Sequence, residues 1–180
     1  MKKIVVIFSV IVMGIVNLSA TNVKDMFVQR STGDESLFFI FSQSLPGQRE
    51  NRESPKKLDY DFTYVQKTDS VTMLMTVNLP KSPKKLLISV ETGNNTFEKE
   101  AEIIFVKPAK SSYSYRLRIM LSFKEFEEMY ESSSPFTISL HYDYINKLYD
   151  YKFRLSQNKW LDNRKKMMDI IELIKLNTGK

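Results

Sequence analysis

The 180-residue chain contains no cysteine, one histidine and five glycines. Without cysteine there are no disulfides, thiolate nucleophiles, Cys-type zinc sites, iron–sulfur clusters or lipidated N-terminal Cys. A single histidine excludes any site that needs two imidazoles. Few glycines leave little room for phosphate-cradling loops, and neither G-x-x-x-x-G-K-[ST] nor G-x-G-x-x-G occurs. These absences imply no cofactor.

What the chain does have is apolar and aromatic material for a core. Hydrophobic residues make up 42% and aromatics 12%, with 12 Phe and 9 Tyr. The length suits one domain. The formal charge is +6, from 27 basic and 21 acidic residues. Lys and Glu are interspersed rather than gathered in a basic stripe, which argues against a nucleic-acid partner.

Residues 1–20 have the three parts of a secretory signal. Lys2 and Lys3 supply the positive start, Ile4 to Val16 the apolar run, and Leu18-Ser19-Ala20 a small-residue cleavage site before Thr21. The run is shorter than the roughly 20 apolar residues of a membrane span. The expectation is an exported protein, periplasmic or extracellular, with no transmembrane segment after cleavage. Its short Lys-Lys start and its preference for Lys over Arg give it a bacterial cast. Asn94-Asn95-Thr96 matches a glycosylation sequon, which has little meaning in such a chain. Removing Lys2 and Lys3 leaves 25 basic against 21 acidic residues, a mild +4.

Residues 21–35 read as an irregular N-terminal segment and 36–180 as one β-rich domain. Leu37 to Phe41 is a continuous apolar run, as in a buried strand. Residues 45–57, punctuated by Pro46, Gly47 and Pro55, read as an exposed loop.

From Leu58 onward apolar and polar residues alternate, and four hairpins can be tested by matching the polarity of facing residues. A turn at Thr68-Asp69 sets Leu58 opposite Leu79 and Phe62 opposite Met75. A turn at Asn146-Lys147 sets Ile138 opposite Leu155 and Tyr142 opposite Tyr151. A turn at Gly93 to Thr96 joins strands 86–92 and 97–106, with Leu86 opposite Ile103. A turn around Pro108 to Lys110 sets Phe105 opposite Tyr113, with Glu102 against Arg116 and Glu100 against Arg118.

Two helices interrupt the pattern. Ser122 and Glu125 form a capping box, after which Phe123, Phe126 and Tyr130 share a face. A C-terminal amphipathic helix is expected over 158–176. Its apolar stripe is Trp160, Leu161, Met167, Met168, Ile170, Ile171 and Ile174. Docking on the sheet suits it better than lying on a membrane. The fold expected is all-β: an antiparallel β-sandwich of seven or eight strands, with a closed lipocalin-like β-barrel as the alternative.

Candidate sites are sparse. His141, Asp143 and Asp150 share a hairpin face and are the candidate metal or acid–base set. A charged sheet surface balanced by Lys152 and Arg154 explains them as well. Glu98, Glu100 and Glu102 with Arg116 and Arg118 read as cross-strand ion pairs, each worth well under about 1 kcal/mol. Tyr60, Tyr64, Tyr115, Tyr142 and Tyr151 are candidate ligand-binding residues, since inward tyrosines need partners for their hydroxyls. A packed core with hydroxyls at its rim is the simpler reading. Asp59 and Asp61 have the spacing of a carboxylate pair and nothing more. No catalytic set is assigned.

The functional expectation is therefore an exported, non-enzymatic binding or protein-interaction domain, its partner an unknown protein. The alternatives are a carrier of a small apolar or aromatic ligand, and a hydrolase using His141 and Asp143 or a carboxylate pair.

Overall fold

The computed structural model describes residues 23–32, 35–48, 54–93 and 95–180. The expected signal segment 1–20, residues 49–53 of the expected loop and Asn94 of the sequon lie outside them.

Among the described residues the chain forms ten strands. They are β1 (Phe27–Thr32), β2 (Glu35–Pro46), β3 (Lys57–Val65), β4 (Ser70–Leu79), β5 (Leu87–Glu91), β6 (Thr96–Glu100), β7 (Glu102–Ala109), β8 (Ser112–Ser122), β9 (Thr137–Tyr144) and β10 (Lys147–Phe153). The helices are α1 (Phe123–Glu131) and α2 (Gln157–Thr178). Two antiparallel sheets result, ordered β1-β2-β3-β4-β8-β7 and β10-β9-β5-β6. This is an all-β sandwich with two helices, and the described residues form no closed barrel.

The strand count exceeds the expected seven or eight for two reasons. First, part of the segment expected to be irregular is β1. Only Phe27 of that strand packs toward the core, stacking on Phe38 at 6.2 Å, so no apolar alternation marks it. Second, the expected strand 97–106 is cut at Ala101. Its first half pairs with β5 in one sheet and its second half with β8 in the other. Likewise, β2 runs on into the expected loop as far as Pro46, and the Gly47 N–H then donates to the Lys56 carbonyl at 2.9 Å.

All four expected hairpins form, each in a different register. Leu58 lies opposite Val77, Ile138 opposite Phe153 and Leu87 opposite Glu100. In these three the slip is two residues. Because side chains alternate with period 2, such a slip keeps every residue on its face, and polarity matching cannot detect it. At β3–β4 the cause is a longer connection, a 3-10 turn over Gln66–Thr68 closed by Asp69 at φ 49°.

The β7–β8 slip is odd near the turn, where Val106 lies opposite Tyr115. An irregularity between Ile103 and Phe105 then makes the slip even, setting Ile103 opposite Leu117. Phe105 is thereby turned outward and is 52% exposed. Glu102 meets Arg118 rather than Arg116.

Inward residues of β3, β4 and β8 are fully or almost fully buried, among them Tyr60, Phe62, Met73, Met75, Leu117 and Ile119. The helices cover part of this face. The capping box is present: Ser122 Oγ accepts from the Glu125 N–H at 3.1 Å and Glu125 Oε2 accepts from the Ser122 N–H at 2.8 Å. It aims Phe123 at Tyr64 and Phe126 at Phe62, with ring centroids 5.1 and 4.8 Å apart. Lys99 of β6 reaches the same Glu125 at 2.6 Å, tying the edge of the smaller sheet to the start of α1.

α2 docks, as its stripe predicts, through buried Trp160, Met167, Ile170, Ile171 and Ile174. Leu161 is the exception and is 49% exposed. The helix is fastened by Lys175 to Glu127 of α1 and by Arg164 to the Glu131 carbonyl at 2.8 Å. A polar contact in the core adds to this. A register shift between Ile40 and Gln43 points Gln43 inward. There its Oε1 accepts from the Tyr60 hydroxyl at 2.8 Å and from Asn163 Nδ2 of α2 at 2.6 Å.

Candidate functional site

The five tyrosines all point inward, as their strand positions require. Tyr60, Tyr64 and Tyr115 are fully buried, and Tyr142 and Tyr151 nearly so. Three of the hydroxyls have hydrogen-bond partners, whereas that of Tyr142 is buried without one. Tyr60 donates to Gln43, Tyr64 to Asp69 Oδ1 at 3.3 Å, and Tyr115 to the Pro83 carbonyl at 3.1 Å. Burial pushes the Tyr60 hydroxyl well above its ordinary pKa. Tyr142 is pushed up by burial first and then by the neighbouring Tyr151 hydroxyl. Groups held neutral in this way suit a core better than acid–base work at neutral pH.

His141 and Asp150 are brought together. Their strands pair them directly, with His141 Nδ1 3.4 Å from Asp150 Oδ1. Asp143 lies two residues along the same face and faces Leu148. No group of three or more His, Asp or Glu side chains that could hold a metal ion occurs among the described residues. The glutamate ladder is split between the sheets. Glu102 pairs with Arg118 Nε at 2.8 Å, while Arg116 turns to Asp61 at 2.6 Å and Thr76 at 2.8 Å.

Charge and apolar surface meet at one end of the sandwich, where β3 and β5 begin and the β4–β5 loop (residues 80–86), β7–β8 turn and β9–β10 turn lie. A surface recess of about 640 Å³ opens there. One wall is the β4–β5 loop from Ser82 to Leu86. The other is His141 to Ile145 with Leu148. Tyr115 fixes the loop wall, since its hydroxyl touches Ser82 Oγ at 3.0 Å as well as the Pro83 carbonyl.

The β9–β10 turn at the mouth is Ile145-Asn146, with both residues at positive φ, 49° and 58°. A type I′ hairpin turn demands this conformation and favours Asn or Gly. Asn146 meets the demand cheaply. Ile145 does not, because a β-branched residue in the left-handed region costs roughly 1–2 kcal/mol. Nothing in the fold returns that cost, since Ile145 is 81% exposed. Leu148, two residues on, is 67% exposed.

Neither residue was singled out by sequence reasoning, which placed the turn one residue later, at Asn146-Lys147. The signal that could have found them is the Ile in D-Y-I-N-K-L, an aliphatic residue where the turn calls for Asn, Asp or Gly.

The fold and this surface define an all-β, two-sheet antiparallel domain with an apolar turn exposed at one end. Comparison with family models, curated proteins and solved structures finds nothing that matches this chain.

Proposed function

We propose that this chain is an exported, non-catalytic binding domain that recognises a protein partner at the end of the sandwich carrying the β9–β10 turn. The observation that carries the reading is Ile145, a large aliphatic side chain held in a strained conformation and presented to solvent. Backbone strain with no packing return is a mark of a contact site, and Leu148 extends the apolar surface. The recess beside it, lined by Leu86, Leu87 and Leu148 as well as by Lys84 and Asp143, suits a partner segment that offers an apolar side chain flanked by polar ones. The partnered hydroxyls of Tyr60, Tyr64 and Tyr115 favour this reading over an internal ligand carrier. The lone His141–Asp150 pair favours it over a hydrolase.

The test compares immobilised wild-type protein with an Ile145→Asn/Leu148→Ser variant. The variant should fold at least as well and lose a protein that the wild type retains. Identical retained sets would overturn the proposal. Export rests on residues 1–20 and has its own test. Protein recovered outside the cytoplasm should begin at Thr21, and a recovered chain beginning at Met1 would remove that part.

A further inference from the structure

A second recess, of about 590 Å³, lies on the other side of the β4–β5 loop. It is lined by Ser54, Pro55, Lys56, Lys57, Asn78, Pro80, Lys81, Ser111 and Ser112. Three of these side chains are ammonium groups, three are hydroxyls and one is an amide. The remaining two are the prolines, and among the described residues no carboxylate lines it. Apart from Ser54, which is buried, such a set offers hydrogen-bond donors and positive charge to whatever enters.

The strand pairing explains how so many donors meet. β3 begins at Lys57, β4 ends at Leu79, and the β7–β8 turn places Ser111 and Ser112 beside them. Lys107 adds to the field from the adjacent edge strand, where it faces Ser114, which in turn faces Asn78. Lys57 is engaged by Asp59 at 2.7 Å. Lys56 and Lys81 make no ion pair among the described residues.

The floor of the recess is also fixed in place. Ser54 and Pro55 are buried. The Gly47 N–H holds the Lys56 carbonyl, and a Cβ at Gly47 would lie 2.1 Å from the Pro55 oxygen. Only glycine permits this close approach, and it sets the backbone from which Lys56 and Lys57 project. Lys81 is half-buried on the opposite wall.

We infer that this recess is a binding site for an oxyanion, a phosphate or sulfate group, held by Lys56 and Lys81 with Asn78, Ser111 and Ser112 as neutral donors. Like charges gathered around one concavity raise the local concentration of an anion. Charge-assisted hydrogen bonds from ammonium to phosphate oxygen are the stronger kind. The group can belong to a free polyanion or to a lipid headgroup, since the recess chemistry is the same for both.

The test follows backbone amide shifts and the thermal midpoint of the full chain as tripolyphosphate or sodium sulfate is added. In a parallel arm, vesicles of phosphatidylglycerol are compared with vesicles of phosphatidylcholine. The expected result is saturable shifts at Lys81 and Ser111, weakening as salt rises. Lys56→Gln and Lys81→Gln should each reduce affinity about tenfold. Asn78→Asp, which places a carboxylate at an exposed position in the recess, should abolish binding without unfolding the protein. Response to the free anions supports the site with a soluble ligand. Response to phosphatidylglycerol vesicles alone, lost in the same variants, supports it with a headgroup ligand. No response in either arm, or responses unchanged in the variants, overturns it. Ile145→Asn leaves these responses intact, so the outcome is separable from that for the protein-binding tip.

Discussion

Trp160 of α2 stacks on Tyr130 of α1 with ring centroids 5.5 Å apart and planes 18° apart. Phe136 meets the same indole edge-on at 5.3 Å. The last helix is thus held by an aromatic ring from the first helix and another from the connection to β9. Trp160→Ala should cost about 3–5 kcal/mol, read as a lower urea midpoint. A loss below about 1 kcal/mol would mean that α2 contributes little to the fold.

Gln43 should be nearly as important despite its polarity. Gln43→Ala removes the acceptor for both the Tyr60 hydroxyl and Asn163 Nδ2. Leaving buried donors unpaired costs about 1–3 kcal/mol each. Calorimetric unfolding of Gln43→Ala, Tyr60→Phe and the double variant should give strongly non-additive losses. Simple additivity would separate the two residues energetically.

Stability should fall at both ends of the pH range. Burial alone would raise the Glu125 carboxyl, but hydrogen bonds from Lys99 and the Ser122 N–H, with the Lys99 charge, outweigh it and hold it below the usual range. A carboxyl lowered in the folded state stabilises above its unfolded pKa of about 4.3. That contribution is lost as pH falls through the folded value. Glu125→Gln should flatten the acid limb of the midpoint-versus-pH curve.

Tyr60, Tyr130 and Tyr142 produce the opposite limb. Burial raises all three hydroxyls in the fold. Their contribution is full below the unfolded pKa of about 10 and is lost as pH rises above it. An ultraviolet titration should show these tyrosines ionising only together with unfolding. Reversible ionisation of all nine tyrosines in folded protein would contradict this.

Relieving the β9–β10 turn should separate stability from recognition. Ile145→Gly removes the left-handed strain and should raise stability by about 1 kcal/mol, visible as a higher thermal midpoint. The same variant should bind the partner less well. A fall in stability would show that Ile145 packs in a way its exposure does not reveal.

Much of this architecture was legible because period-2 alternation is strong in β3, β4, β8 and β9. Leu58, Tyr60, Phe62 and Tyr64 declare a buried face without help. The capping box at Ser122 was equally plain, since it is purely local. Register was not legible, because an even slip leaves every face unchanged. Nor was β1, where one aromatic ring is all that reaches the core. The site was harder still. His141 stands out in the sequence as the only imidazole, whereas the exposed apolar turn lies at Ile145, whose meaning depends on a backbone angle. The lysines of the second recess are scattered over positions 56, 57 and 81, and only the fold assembles them.

Ala101 is the single residue between β6 and β7, and its N–H is fixed to the Leu86 carbonyl at 2.9 Å. The chain passes from one sheet to the other in that one step, with no slack on either side. Any sliding of the sheets past each other must be absorbed at this corner. A shift of one sheet is therefore passed to the other at Ala101, through a covalent link and the Leu86 hydrogen bond together.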